Sequence, residues 1–145
     1  MTIRRMRRSG QITVALPPAQ ALRLFTPEGE REWVDGWAPR YAEAVADDTA
    51  PGTVFTTEIH GTVTIWVVAD RRADGYRYVR VVPGHNADTV SVTCHPSAGT
   101  VVEVSYDLSF SEHGAAFLSK MADGFADLLA EWASRIARLT PPSAR

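Results

Sequence analysis

The side chains of this 145-residue chain best suited to chemistry cluster near its middle. Tyr76, Tyr78 and Arg80 alternate with Arg77 and Val79, so all three share one face of any strand that holds them. If that face points inward, the Tyr78 hydroxyl and the Arg80 guanidinium could polarise a carbonyl or hold a carboxylate or enolate. A buried arginine needs an acidic partner or an anionic ligand, because unpaired burial is costly. Otherwise it snorkels to the sheet edge. His85 and Asn86 follow in a turn that could lie at a cavity mouth, where a histidine serves as acid or base near neutral pH. A solvated turn is the alternative. Tyr78, Arg80 and His85 are therefore the catalytic candidates.

Other chemistries find less support. His60, His85, His95 and His113 are scattered over turns and element ends. Glu58 and His60 share a strand face, but two ligands do not close around zinc, so no metal is expected. Cys94 shares a face with Val90 and Val92 and reads as a buried, inert thiol. No serine sits in a G-x-S-x-G elbow, and no phosphate loop or dinucleotide fingerprint is present, so no cofactor is expected. Glu103 and Asp107 lie opposite an apolar stripe and read as solvent-facing. Four tryptophans and four tyrosines, in contrast, offer large apolar area with a hydrogen-bonding handle on each ring. They suit either a plain core or the wall of an apolar pocket.

The elements that must position these residues follow from periodicity. Ile12, Val14 and Leu16 mark a half-buried strand that ends at Pro17-Pro18. Pro18 to Phe25 suits a short helix, and Thr26-Pro27 suits the cap and first residue of a second. Glu28, Glu30 and Glu32 favour the positive end of that second helix, and Asp35-Gly36 stops it. A strand is expected across Trp37 to Ala46. Strands over 53–59, 62–69, 76–82, 88–95 and 100–110 then form a meander of hairpins. Thr62, Thr64, Trp66 and Val68 share one face of their strand, and Val63, Ile65, Val67 and Ala69 share the other. Either face could be inside, with a lean towards Trp66. Ser111 caps a helix expected from about Ala115 to Arg138, roughly 36 Å long. Its stripe runs through Phe117, Met121, Phe125, Leu128, Leu129, Trp132, Ile136 and Leu139.

Charge sets further bounds. Net charge is -2, but Arg4, Arg5, Arg7 and Arg8 supply four of the 15 basic residues, leaving 11 to face 17 acids. The acidic body argues against a nucleic-acid partner. Residues 1–9 read as a flexible, solvated basic arm, residues 10–139 as one domain, and residues 140–145, with Pro141-Pro142, as a tail. No apolar run is long enough to cross a membrane, and no secretion signal is visible, so a cytoplasmic location is expected. An exposed edge strand leaves monomer and homodimer both open.

The order strand, two short helices, about six strands and a long helix predicts an α+β fold in which a curved antiparallel sheet of about seven strands grips the C-terminal helix. This order resembles the helix-grip fold of the START-like (SRPBCC) superfamily, nearest to its polyketide cyclase/dehydrase-like branch. Leu16-Pro17-Pro18 to Phe25-Thr26-Pro27, then Trp33, is similar to the superfamily's opening. Leu108-Ser109-Phe110 followed by the Phe117 to Trp132 helix is similar to its close. The resemblance implies a small, mostly apolar ligand, lipid-like or aromatic, held between sheet and helix. The implied wall is Trp33, Trp37, Tyr41, Phe55, Thr57, Trp66, Tyr76, Tyr78, Arg80, Phe117, Met121 and Phe125. Two alternatives stand beside binding: a cyclase/dehydrase-like enzyme using the same cavity, and a chaperone-stimulating or other protein-interaction module.

Overall fold

The computed structural model describes residues 4–139. Seven strands form one antiparallel sheet: β1 (Arg4–Val14), β2 (Arg40–Tyr41), β3 (Val54–Ile59), β4 (Thr62–Arg72), β5 (Gly75–Val82), β6 (Asn86–Pro96) and β7 (Thr100–Phe110). Their order across the sheet is β1-β7-β6-β5-β4-β3-β2. Helix α1 (Pro18–Arg23) and a 3-10 turn (Gly29–Glu32) follow β1, while α2 (Glu112–Asp123) and α3 (Phe125–Ala137) close the chain against the inner face. This is a helix-grip fold.

Alternation decides which face is inner. Val90, Val92 and Cys94 on β6, and Val102, Val104, Tyr106, Leu108 and Phe110 on β7, are all buried. Thr89, Glu103 and Asp107 between them face outward or are half exposed. The β3–β4 hairpin turns at His60 and Gly61, whose φ angles of 51° and 79° fit the primed turns that match strand twist. A register shift between Val68 and Asp70 bends β4. The neighbouring face of that strand is settled: Val63 is 46% exposed whereas Val68 is fully buried, so Trp66 looks inward.

Three expectations need correction. The first strand begins at Arg4, and all eleven residues of β1 pair with β7, so the stretch 4–9 is an edge strand and not a free arm, although Arg4, Arg5, Arg7 and Ser9 stay exposed. Its inward residues are Met6, Arg8 and Gly10, a sequence without apolar alternation. Only the sheet partner reveals it. The strand expected across Trp37 to Ala46 shrinks to Arg40–Tyr41, because the flanking Pro39 has no N–H to give and the following segment is acidic loop. The tail beyond residue 139 lies outside the described residues.

The third correction concerns the long helix. It breaks at Gly124, giving α2 and α3 separate stripes: Gly114, Leu118 and Ala122 on one, Phe125, Leu129 and Ile136 on the other. Phe117 therefore leaves the core and is 66% exposed. The break exposes carbonyls at the end of α2, and Arg8 from β1 answers one of them, its Nε donating to the Ala122 carbonyl at 3.4 Å.

Gly114 docks α2 on the turn between β5 and β6, where the Ser111 amide donates to the His85 carbonyl at 2.9 Å. A Cβ at position 114 would lie 2.5 Å from that same carbonyl oxygen. Gly114→Ala is thus expected to destabilise the fold by about 1–3 kcal/mol despite alanine's better helix propensity. A urea midpoint equal to or above that of the native protein would refute this.

Candidate functional site, an aromatic cavity under the helices

The loop from Leu24 to Tyr41 forms one side of the site and is held by its own indoles. Trp33 Nε1 donates to the Leu24 carbonyl and Trp37 Nε1 to the Pro27 carbonyl, both at 2.7 Å. Thr26 Oγ1 accepts the Gly29 amide at 2.8 Å and shapes the 3-10 turn. A Cβ at Gly29 would overlap the Arg23 carbonyl oxygen, so only glycine permits this tightness. The turn carries Glu30 inward.

Between this loop, β3 to β7 and the two helices lies a cavity of about 490 Å³. Its walls include Trp37, Thr57, Thr64, Trp66, Arg80, Asn86, Tyr106, Met121, Leu128 and Trp132, with His60, Thr62 and Phe117 also on its lining. A smaller space of about 30 Å³, room for roughly one water, shares Glu30, Trp66, Tyr106 and Trp132 and is completed by Phe25, Phe55, Tyr78, Val90 and Val92. Trp66 stacks on Phe55 with centroids 5.9 Å apart, and Trp37 meets Trp66 edge-on at 5.4 Å. On the opposite side Trp132 touches Trp33 at 5.5 Å and Tyr106 at 6.5 Å. This is a cavity capable of holding a small apolar molecule.

Its polar groups are few. Asp88 from β6, with its side chain fully buried, accepts Arg80 Nε at 2.8 Å and Asn86 Nδ2 at 2.7 Å on the same oxygen, Oδ2. Oδ1 has no hydrogen-bond partner among the described residues. The Arg80 guanidinium lies 5.2 Å from the Tyr106 ring centroid and 5.8 Å from that of Trp66, so it is held by two aromatic faces as well as by the carboxylate. Glu30 stands apart from this cluster. Its carboxyl has neither a hydrogen bond nor an ion pair among the described residues, and burial pushes it well above the usual carboxylate range. Burial also pushes the Tyr106 hydroxyl up to about 12.

The predicted site residues divide accordingly. Trp37, Thr57, Trp66, Arg80, Phe117 and Met121 line the cavity, and Phe55 and Tyr78 line the small space beneath it. Trp33, Tyr41, Tyr76 and Phe125 line neither. Trp33 and Phe125 are core, packed on Phe25 and Tyr106 respectively. Tyr41 binds Glu28 Oε2 at 2.7 Å on the outside of the loop, and Tyr76 is buried further along β5.

The catalytic candidates fare differently from one another. The Tyr78 hydroxyl donates to the Phe25 carbonyl at 2.8 Å, and burial raises its pKa further, so its proton is committed to the fold. Arg80 has the acidic partner that its burial requires. His85 is exposed and off the cavity, because strand alternation turns Asn86 inward in its place. Cys94 is buried with its thiol pushed up to about 11 by desolvation first and by Asp74 second. Among the described residues, no three His, Cys, Asp or Glu side chains gather as a metal site needs.

Sequence reading missed Glu30, Asp88, Tyr106 and Trp132 as site residues, while of the pair expected at a cavity mouth Asn86 is the one on the lining. Asp88 was detectable, since it is in phase with the inward Val90, Val92 and Cys94. Glu30 was not: a glutamate in the first turn of a short helix ordinarily faces water.

No family model matches the sequence, and no curated protein is detectably similar to it. Solved structures do match. MLL2253 from Mesorhizobium loti superposes with a TM-score of 0.71 at 15% identity, over 92% of this chain and 98% of that one. Mll3558 from Rhizobium loti gives 0.70 at 17% identity, over 93% and 99%. DynU16, a protein of the dynemicin biosynthetic locus, gives 0.61 at 14% identity, over 88% of this chain and 46% of that one. The likeness is one of fold. At such identities the helix-grip architecture is shared and nothing finer is. No helix among the described residues is long and apolar enough to cross a membrane.

Proposed function

We propose that this protein binds a small, mostly apolar molecule, lipid-like or aromatic, in the cavity between its sheet and its C-terminal helices. The observation that carries this reading is the cavity itself, about 490 Å³ and walled by Trp37, Trp66, Tyr106, Trp132, Phe117 and Met121. Ligand sites typically measure roughly 300–1,000 Å³, apolar with a few convergent polar groups. The START-like resemblance supports the same placement of the ligand. A cyclase/dehydrase-like reaction finds less support, since Tyr78 and Arg80 are engaged within the fold and His85 lies outside. An interaction module would suit a filled interior, and this interior is open.

The test is a titration with N-phenyl-1-naphthylamine, a neutral apolar dye that brightens on leaving water, beside native mass spectrometry of the purified protein. Saturable one-to-one binding is expected. Thr64 is half-buried on the cavity wall, so Thr64→Trp projects an indole into the space the ligand needs. This variant is expected to weaken dye binding at least tenfold, about 1.4 kcal/mol, while keeping its cooperative unfolding. Unchanged affinity in a folded Thr64→Trp protein would place the dye elsewhere and overturn the reading.

A further inference from the structure

The cavity region holds two carboxyls, Glu30 and Asp88, the Arg80 guanidinium, and the His60 imidazole on its lining. Asp88 has Arg80, whose guanidinium completes its neutralisation against the faces of Trp66 and Tyr106. Glu30 lines the same cavity, beside Trp132 and Tyr106, with no cation and no hydrogen-bond donor of its own among the described residues. The arrangement around Arg80 shows what these walls accommodate, namely a positive group that lies over aromatic faces and binds a carboxylate.

We propose that the natural ligand is an apolar molecule carrying a basic nitrogen, whose ammonium pairs with Glu30 while its ring or chain fills the aromatic cavity. This rests on the cavity being the ligand site and adds the ligand's chemical class. A carbonyl ligand would gain only a neutral hydrogen bond from Glu30, whereas an ammonium gains a charge-assisted one in a poorly solvated setting. A carboxylate ligand would meet a second acid and find Arg80 already paired. Ammonium binding also has a consequence for protons. Burial raises the Glu30 carboxyl, and an ammonium beside it favours the charged form, so amine binding draws the carboxyl towards ionisation. The other titratable groups around Glu30 are the hydroxyls of Tyr78 from β5 and Tyr106 from β7, both raised and neutral below pH 9, together with Arg80 of β5, paired with Asp88, and His60 of the β3–β4 turn on the lining of the same cavity.

Two ring compounds of similar size separate the possibilities at pH 6: 1-naphthylmethylamine, protonated there, and neutral 1-ethylnaphthalene. Quenching of tryptophan fluorescence reads both affinities. The native protein is expected to bind the amine at least tenfold more tightly, and Glu30→Gln is expected to bring the ratio of the two affinities to about one. The comparison of the two compounds on the native protein keeps the proposal testable should Glu30→Gln fail to fold. Binding of the hydrocarbon as tightly as the amine by the native protein overturns the proposal while leaving the cavity reading intact. So does a preference that survives in Glu30→Gln. Failure of both compounds to bind overturns the cavity reading and this proposal together.

Discussion

Replacing Asp88 with alanine is expected to lower folding stability by about 3 kcal/mol, the scale on which breaking one side of a buried ion pair acts. The side chain of Asp88 is fully buried and that of Arg80 is only 14% exposed, so the guanidinium left behind has little water to turn to. Asn86 would lose its acceptor as well, since its Nδ2 donates to the same Asp88 oxygen. The cost arises from the uncompensated charge and not from any large net worth of the pair. A second variant therefore separates the two. Arg80→Met in the Asp88→Ala background removes the stranded cation and fills its volume, and it is expected to recover most of the loss. Urea denaturation of the native protein, both single variants and the double variant gives the cycle. A loss below about 0.5 kcal/mol for Asp88→Ala, the scale of ordinary surface changes, would mean that Arg80 reorients into the cavity and finds solvent there.

Phe25→Ala is expected to cost about 3–5 kcal/mol, the range for deleting a buried aromatic ring when its surroundings relax only in part. Phe25 is 2% exposed and sits between Trp33 and Trp132, with centroids at 5.5 Å and 6.5 Å. Its main-chain carbonyl receives the Tyr78 hydroxyl, which ties the loop to the sheet and limits collapse into the space vacated. The ring also lines the small space under the ligand cavity, so its loss enlarges that space. Of a total stability of roughly 5–15 kcal/mol for a domain, such a loss is a large share. The same urea series reads it. A cost below about 1 kcal/mol would show that the loop does close over the gap.

Arg80 and Asp88 face each other across one hairpin, whereas Phe25 depends on Tyr78 and Trp132, brought from distant parts of the chain, and this second kind of contact marks the limit of what the sequence determines. The architecture was legible. Alternation on β6 and β7 assigns their buried faces, because a period of two allows only one side of a half-wet strand to be apolar. Pro17-Pro18, Asp35-Gly36 and His60-Gly61 mark turns by backbone constraint alone, and the aromatic supply pointed to a cavity wall.

Side-chain destinations were less legible. Arg4 to Ser9 carry no apolar period, and they become a strand because β7 offers an unpaired edge along its whole length. Phe117 and Phe125 fall on one stripe of an unbroken helix, but with the break at Gly124 the first stays at the open side of the cavity, 66% exposed, and the second packs into the core. Trp66 could have faced either way, and it is the curvature of the sheet over the helices that makes its side the interior. Glu30 shows the difference most clearly. In the sequence it is an acid at a helix start, where the local field favours its charge. In the folded protein a glycine-tight turn aims it into an aromatic cavity, and desolvation reverses that preference. Local patterns act through neighbours three or four residues away and can be read along the chain. Burial and partnership are properties of the whole fold, set by which surfaces meet, and only the tertiary structure decides them.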